Sequence, residues 1–143
     1  MGLGWYFYSQ TLSPANPAPT AVTNDNSAQN AAAAPSAAPM QSTVTYGPNG
    51  FSPSSVTVKQ GGTVTFVNQG SGKMWIGADQ HPTHENYDGT NKNQHCASGY
   101  NGPAPFDQCS AGSTYSFTFN KTGSWDYHNH ANAGDEGTIV VVP

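Results

Sequence analysis

Charged residues are scarce in this sequence, and arginine is absent. The 143 residues include four lysines and eight carboxylates, so the formal net charge is −4. Nucleic acids and anionic membrane surfaces are recognised mainly through clusters of Arg and Lys side chains. The composition therefore argues against nucleic acid and anionic membranes as partners.

A hydrophobic run long enough to cross a membrane is also absent. Residues 1–10 begin with the apolar and aromatic run Met-Gly-Leu-Gly-Trp-Tyr-Phe-Tyr, which is too short for a membrane span or a signal-peptide core. Aromatic residues before a polar segment are typical of the outer interface of a membrane anchor. We interpret residues 1–10 as the remnant of a membrane anchor or signal segment, with an ordinary apolar N-terminus as the alternative. The anchor predicts an extracytoplasmic protein (cell-surface, periplasmic or secreted) tethered at its N-terminus.

Large apolar side chains are nearly absent from residues 11–42. This segment consists mostly of Ala, Pro, Ser, Thr, Asn and Gln. Such a composition cannot bury enough apolar surface to offset the entropy of the chain, so we predict a disordered linker. Residues 43–143 have about the length of one β-sandwich domain.

Helical periodicity is missing from residues 43–143, where apolar and polar residues instead alternate with a period of two. Glycine-containing turn signals separate the alternating segments, which include 56–58, 63–67, 115–119 and 138–141. This pattern predicts an all-β fold, a Greek-key β-sandwich. The exception is the polar loop 79–112, whose length indicates a functional role or covalent pinning.

Cysteine is limited to Cys96 and Cys109, and both lie within this loop. An even pair in an exported chain predicts a disulfide that pins the loop. Because the enclosed loop is short, the crosslink would stabilise the fold by about 3 kcal/mol. Metal ligation by the two thiols is the competing interpretation, which is disfavoured because neither cysteine falls within a histidine cluster.

Histidine, in contrast, is concentrated in two short segments of the sequence. Four of the five histidines form two clusters, His81 and His84 in HPTH, and His128 and His130 in HNH. His128 and His130 are two residues apart in a strand-like segment, so their side chains point the same way, about 6.5–7 Å apart along the chain. Converging imidazoles bind copper or zinc. We therefore predict that these four histidines, or three of them, ligate one metal ion; surface and turn-capping histidines are the alternative.

The remaining polar residues near these clusters are expected to have lesser roles. His95 adjoins Cys96 and is interpreted as an ordinary loop residue. Asp79, Asp135 and Glu136 could complete a coordination sphere or orient an imidazole, but solvated charges are the favoured interpretation. Trp75 and Trp125 are expected to form core or pocket walls.

The order of these segments resembles the cupredoxin family (plastocyanin and azurin). Residues 51–68 are similar to the family's opening hairpin, and residues 110–119 to its penultimate strand pair. Residues 123–127 and 137–142 are similar to the strands that flank its copper loop. The resemblance implies a cupredoxin-type sandwich over residues 43–143 and an association with copper.

The blue-copper ligands of the family do not carry over. Asn129 occupies the place of the cysteine ligand, and Met74 or a neighbour occupies that of the first histidine. The later histidine and methionine ligands would fall near Asn132 and Asp135. A blue site needs a thiolate, so we predict that this pocket is lost and that Asn129 fills it as a hydrogen-bonded core residue.

The two histidine clusters are instead similar to the His-Pro-x-His and His-Cys-His motifs of the multicopper oxidases, with Asn129 in place of the cysteine. In those enzymes, the flanking histidines point outward to copper at a domain interface. One cupredoxin domain alone does not make such an interface, so the resemblance implies one mononuclear site, or an interface cluster if the chain forms an oligomer through this face.

Together these observations predict an extracytoplasmic protein that binds Cu(II), or alternatively Zn(II), through histidines only. Storage, delivery or slow redox chemistry of copper would be its role. A metal-free structural or adhesive domain on a flexible stalk is the main alternative, and an enzyme with an open copper position is a weaker one.

Overall fold

The alternating segments form eight β-strands. A computed structural model describes residues 37–143 of the chain, so the predicted anchor remnant 1–10 and most of the predicted linker 11–42 lie outside the described residues. The strands are β1 (Gln41–Gly47), β2 (Gly50–Ser52), β3 (Ser55–Lys59), β4 (Gly62–Asn68), β5 (Ile76–Ala78), β6 (Thr114–Phe119), β7 (Gly123–Asn129) and β8 (Asn132–Val142).

The strands pair into two four-stranded sheets that pack face to face. The first sheet has the order β2-β1-β4-β6, and the second has the order β3-β8-β7-β5. Strand β1 pairs in parallel with β4, and β3 pairs in parallel with β8, while the other pairs are antiparallel. The predicted all-β Greek-key sandwich is confirmed. The first strand of the sandwich begins at Gln41. Gln41 and Ser42, the last two residues of the predicted linker, therefore belong to the sandwich.

The core lies between the sheets and is rich in aromatic rings. Phe66, from the first sheet, and Tyr127, from the second, are fully buried with ring centroids 5.1 Å apart in an edge-on arrangement. Such pairs stabilise a core by about 0.5–1.5 kcal/mol beyond the burial of their surface.

The long loop is more deeply anchored than its polar composition suggested. Phe106 is fully buried between the sheets, with its ring centroid 4.8 Å from that of Phe119. Tyr87 is buried nearby, and its ring contacts the ring of Phe117. The loop also contains one short helix, α1 (Lys92–His95), which the sequence analysis did not predict. Two aromatic anchors therefore fix the loop to the core independently of any crosslink.

The predicted disulfide joins Cys96 to Cys109, with their Cα atoms 5.4 Å apart. Both cysteines of the sequence are thus oxidised, and neither offers a thiolate to a metal. Between residues 37 and 143, no helix has the length and apolar character needed to cross a membrane.

Candidate metal centre

The two histidine clusters come together at one end of the second sheet. His81 and His84 lie in the turn that follows β5, His128 lies on β7, and His130 follows β7 directly. Strands β5 and β7 pair, with Gly77 opposite His128. One ring nitrogen from each of the four histidines lies within 4.8 Å of the others. The pairing of β5 with β7 therefore unites two motifs that are 44 residues apart in sequence, as measured from His84 to His128.

The separations between the inward-facing nitrogens suit a single small ion. His84 Nε2 lies 2.9 Å from His130 Nδ1 and 3.2 Å from His128 Nε2, and His81 Nδ1 lies 3.3 Å from His128 Nε2. Histidine nitrogens bind zinc at about 2.0–2.1 Å, which places neighbouring ligands of one ion roughly 3 Å apart.

The outward-facing nitrogens of the two most buried histidines bind carboxylates. His84 Nδ1 lies 2.5 Å from Asp107 Oδ2, and His128 Nδ1 lies 2.8 Å from Asp79 Oδ1. An ionised carboxylate only accepts hydrogen bonds, so in both neutral rings the outward nitrogen carries the proton. The two Nε2 lone pairs then face each other across 3.2 Å. A cation between these two nitrogens would accept both lone pairs, so the donor set fits a metal ion.

Asp107 is the most important site residue that the sequence analysis did not identify. Its side chain is fully buried, and besides His84 it accepts hydrogen bonds from Trp75 Nε1 at 2.8 Å, His95 Nε2 at 2.9 Å and the Cys109 amide at 2.7 Å. Burial alone would raise the pKa of this carboxyl, but these hydrogen bonds outweigh it and lower the pKa to about 2. Asp107 is therefore an anion at neutral pH.

Asp107 belongs to no recognisable motif. Its position two residues before Cys109 is the one feature of the sequence that indicates a place near the site. The disulfide and the buried ring of Phe106 place it beside His84. The interpretation of His95 as an ordinary loop residue is wrong, because His95 is buried and contacts the same carboxylate.

The three carboxylates that were expected to be solvated charges differ in their hydrogen-bond partners. Asp79 orients His128, so the favoured interpretation was wrong for this residue. Asp135 instead accepts hydrogen bonds from Tyr46 Oη and Asn132 Nδ2. Within residues 37–143, neither Asp135 nor Glu136 forms an ion pair with a histidine.

A glycine makes room for the His84 ring. A Cβ atom at Gly77 would lie 2.3 Å from His84 Cε1, closer than any real Cβ contact. His84 itself has a φ of 63°, a left-handed conformation that is uncommon for a residue with a side chain and that often occurs at functional sites. The imidazole thus packs directly on the backbone of β5, which fixes its direction towards His128.

The alternation predicted that His130 lies within a strand, but His130 lies directly after the end of β7. It follows a bulge between His128 and Asn129, and its amide donates to the Trp75 carbonyl at 2.7 Å. Its ring lies 4.4 Å from the Trp75 ring, between centroids. Trp75 is therefore a wall of the site, as expected.

The electrostatics favour neutral, metal-competent imidazoles. Burial lowers the pKa of His128, although its hydrogen bond to Asp79 opposes the change. Burial also lowers the pKa of His130, to about 4, and repulsion from His84 and Lys92 acts in the same direction. At neutral pH both rings keep a lone pair for ligation. His81 is exposed at the surface, so the site is accessible from solvent.

The pocket that would hold blue copper is filled, as predicted. Asn129 is fully buried, its Oδ1 accepts from the amides of Trp75 at 2.9 Å and Ala131 at 3.1 Å, and its Nδ2 donates to the Lys73 carbonyl at 2.8 Å. Its amide group is fully engaged with backbone and offers no free donor atom to a metal.

Comparison with known proteins agrees with the fold and identifies a family of copper-binding proteins. The family model for copper-binding proteins of the plastocyanin/azurin family matches residues 38–142. The chain belongs to this family of copper-binding proteins. Among proteins with curated functions, none matches the chain significantly.

Solved structures of cupredoxins are similar in fold. A reduced amicyanin mutant is 20% identical, with a TM-score of 0.51, and the match covers 78% of this chain and 89% of the amicyanin. A purple cupredoxin from Nitrosopumilus maritimus is 16% identical, with a TM-score of 0.47 and coverage of 71% and 99%. A copper-containing nitrite reductase from Thermus scotoductus is 22% identical, with a TM-score of 0.49 and coverage of 71% and 22%. At these identities the similarity concerns the fold alone.

Proposed function

We propose that this protein binds one copper ion through His81, His84, His128 and His130. The observation that carries the proposal is the convergence of the four imidazoles, with the Nε2 atoms of His84 and His128 3.2 Å apart. Carboxylates on the far side of both rings keep the Nε2 lone pairs directed inward. Metal-binding histidines commonly have such carboxylate partners, which fix the tautomer and raise ligand basicity.

Copper(II) is the ion that we favour, with zinc(II) as the alternative. Four imidazoles bind either ion, but affinity for divalent metals rises to a maximum at copper. The family to which the chain belongs binds copper. With both cysteines in a disulfide, the site has no thiolate, so bound copper would lack the intense absorption of blue-copper proteins.

Storage, delivery or slow one-electron chemistry of copper is the role that this site supports. An exposed ligand, His81, gives an entry path from solvent. Three of the four ligands are held by packing or by hydrogen bonds, which preorganises the donor set. We place the protein outside the cytoplasm, since its disulfide is typical of oxidising compartments.

Metal titration of untagged protein tests the proposal. We expect one Cu(II) per chain, weak visible absorption, and electron paramagnetic resonance that shows nitrogen donors without sulfur. Size-exclusion chromatography of the loaded protein distinguishes a mononuclear site in each monomer from a cluster between chains. Absence of binding in copper-replete buffer would favour the metal-free structural domain, and an intense visible band would indicate a thiolate ligand.

A further inference from the structure

Three of the four histidines have a partner at the ring nitrogen that faces away from the site, and the third partner differs from the other two. His84 and His128 each meet a carboxylate there. His130 instead meets an ammonium group, because Lys92 Nζ lies 3.4 Å from His130 Nε2. The site therefore has two outer anions and one outer cation.

Without a metal, this arrangement forms a consistent chain of hydrogen bonds. Lys92 is a donor only, so His130 Nε2 must accept from it. The proton of the neutral His130 ring is then on Nδ1, which donates to His84 Nε2 at 2.9 Å. His84 in turn donates to Asp107.

Ligation reverses the roles at His130. If Nδ1 gives its lone pair to a metal, the ring proton must sit on Nε2. The Nε2–H group and the ammonium of Lys92 are then two donors at 3.4 Å with no acceptor between them. Two converging donors of positive or partly positive charge form a site for an anion.

The surroundings of Lys92 leave room for such an anion. Among residues 37–143, no carboxylate lies within 4.0 Å of Lys92 Nζ. One cleft beside Lys92, of about 280 Å³, is lined by Trp75, Asn93, Ala97 and the Cys96–Cys109 disulfide, none of which carries negative charge. Glu85 lines a second cleft, of about 240 Å³, which Lys92 also borders.

We propose that a small inorganic oxyanion binds between Lys92 Nζ and His130 Nε2–H when the metal is bound. The anion takes the place of a third outer carboxylate, equivalent to Asp107 on His84 and Asp79 on His128. The inference rests on the proposed function, since the metal is what places the proton on Nε2. Metal and anion therefore raise each other's affinity by the same factor.

Sulfate is a suitable probe, used at millimolar concentration against perchlorate at constant ionic strength. We expect sulfate to tighten copper binding by the intact chain, measured by competition with a chromophoric chelator. Lys92→Gln should bind copper with no dependence on sulfate. Lys92→Glu should bind copper about tenfold more tightly without sulfate, because the new carboxylate accepts the Nε2–H bond directly; outer partners of this kind change metal affinity roughly 10–100-fold.

Lys121 provides the matched control. The ammonium of Lys92 lies 5.5 Å from the centroid of the Trp75 ring. That of Lys121 likewise lies over an aromatic ring, 5.1 Å from the centroid of Tyr87, and it donates to the Tyr87 carbonyl, away from the histidines. Lys121→Glu makes the same change in net charge, and it should leave copper affinity and the sulfate effect unchanged. The inference is overturned if sulfate has no effect on the unaltered protein, or if Lys92→Glu and Lys121→Glu change copper affinity equally. A chain that binds no copper at all contradicts the proposed function itself, which this experiment reports separately.

Discussion

His128 and Asn129 are neighbours on β7, yet their polar atoms are satisfied in opposite ways. Every polar group of the Asn129 amide has a backbone partner, which ties β7 to the segment 73–75. The inner nitrogen of His128 faces only other imidazole nitrogens, those of His84 at 3.2 Å and His81 at 3.3 Å. A buried polar group bonded to backbone stabilises the fold, whereas imidazole nitrogens that converge on one point form a donor set for a metal ion. The two residues therefore contrast a structural role with the proposed metal-binding role within one strand.

The largest effect that we expect is loss of copper on substitution of His128 by Ala. Copper affinity should fall roughly 100-fold or more, since loss of an outer partner alone costs about 10–100-fold. His130→Ala should have a similar effect. Competition with a chelator measures the affinity, and thermal unfolding checks that each variant is folded. Unchanged binding after loss of both histidines would place the site elsewhere.

Asn129→Ala should lower the stability of the fold and leave copper binding intact. It leaves the amides of Trp75 and Ala131 and the carbonyl of Lys73 without their side-chain partner. The free energy of unfolding should fall by about 2–3 kcal/mol, as measured by denaturant titration. The variant should still bind one copper per chain. Loss of copper with unchanged stability would contradict the structural role of Asn129.

Gly77→Ala should weaken copper binding without removing any ligand. The new methyl group overlaps the His84 ring, so the imidazole must leave its position opposite His128. We expect a decrease in affinity of about tenfold or more, comparable to loss of an outer partner. Gly134→Ala is the matched control, because a Cβ atom there has no neighbour within 4 Å. Equal affinities for the two variants would show that His84 is not a ligand.

Removal of the disulfide by Cys96→Ser and Cys109→Ser should act on both stability and metal binding. Stability should fall by about 3 kcal/mol, while Phe106 and Tyr87 keep the loop attached to the core. Copper affinity should fall about tenfold, because the Cys109 amide helps to hold Asp107 against His84. Denaturant titration measures the change in stability, and chelator competition on the same sample measures the change in copper affinity. Unchanged copper affinity would mean that Asp107 is positioned by Trp75 and His95 alone.

The smallest effect concerns the metal-free protein in mild acid. An unfolded chain takes up protons on histidine near pH 6.5, whereas the folded chain keeps His128 and His130 neutral to lower pH. The unfolded state then binds more protons, so stability falls as the pH decreases from about 6.5 towards about 4. Thermal unfolding at about pH 7 and pH 5 measures the decrease. His130→Gln should reduce it, and an identical decrease in that variant would contradict the lowered pKa of His130.

Much of this molecule was predictable from local sequence patterns. The two-residue alternation predicted the strands because side chains on opposite faces of a sheet meet different environments. The two histidine motifs were recognisable because imidazole pairs are rare and chemically specific, and the structure brings them together; their role as ligands stays a prediction. The pairing of Cys96 with Cys109 followed from their number and context. Each of these signals depends on a few neighbouring residues.

Tertiary structure alone decided what surrounds the histidines. Asp107 and Asp79 look like ordinary surface charges in sequence, and they became partners of His84 and His128 when the loop folded against β7. Whether a carboxylate orients a ligand depends on a separation of about 3 Å between atoms that are distant in the chain. The local sequence patterns were enough to predict the fold and the candidate histidines; the packing of the loop decided which nitrogen of each ring faces the site.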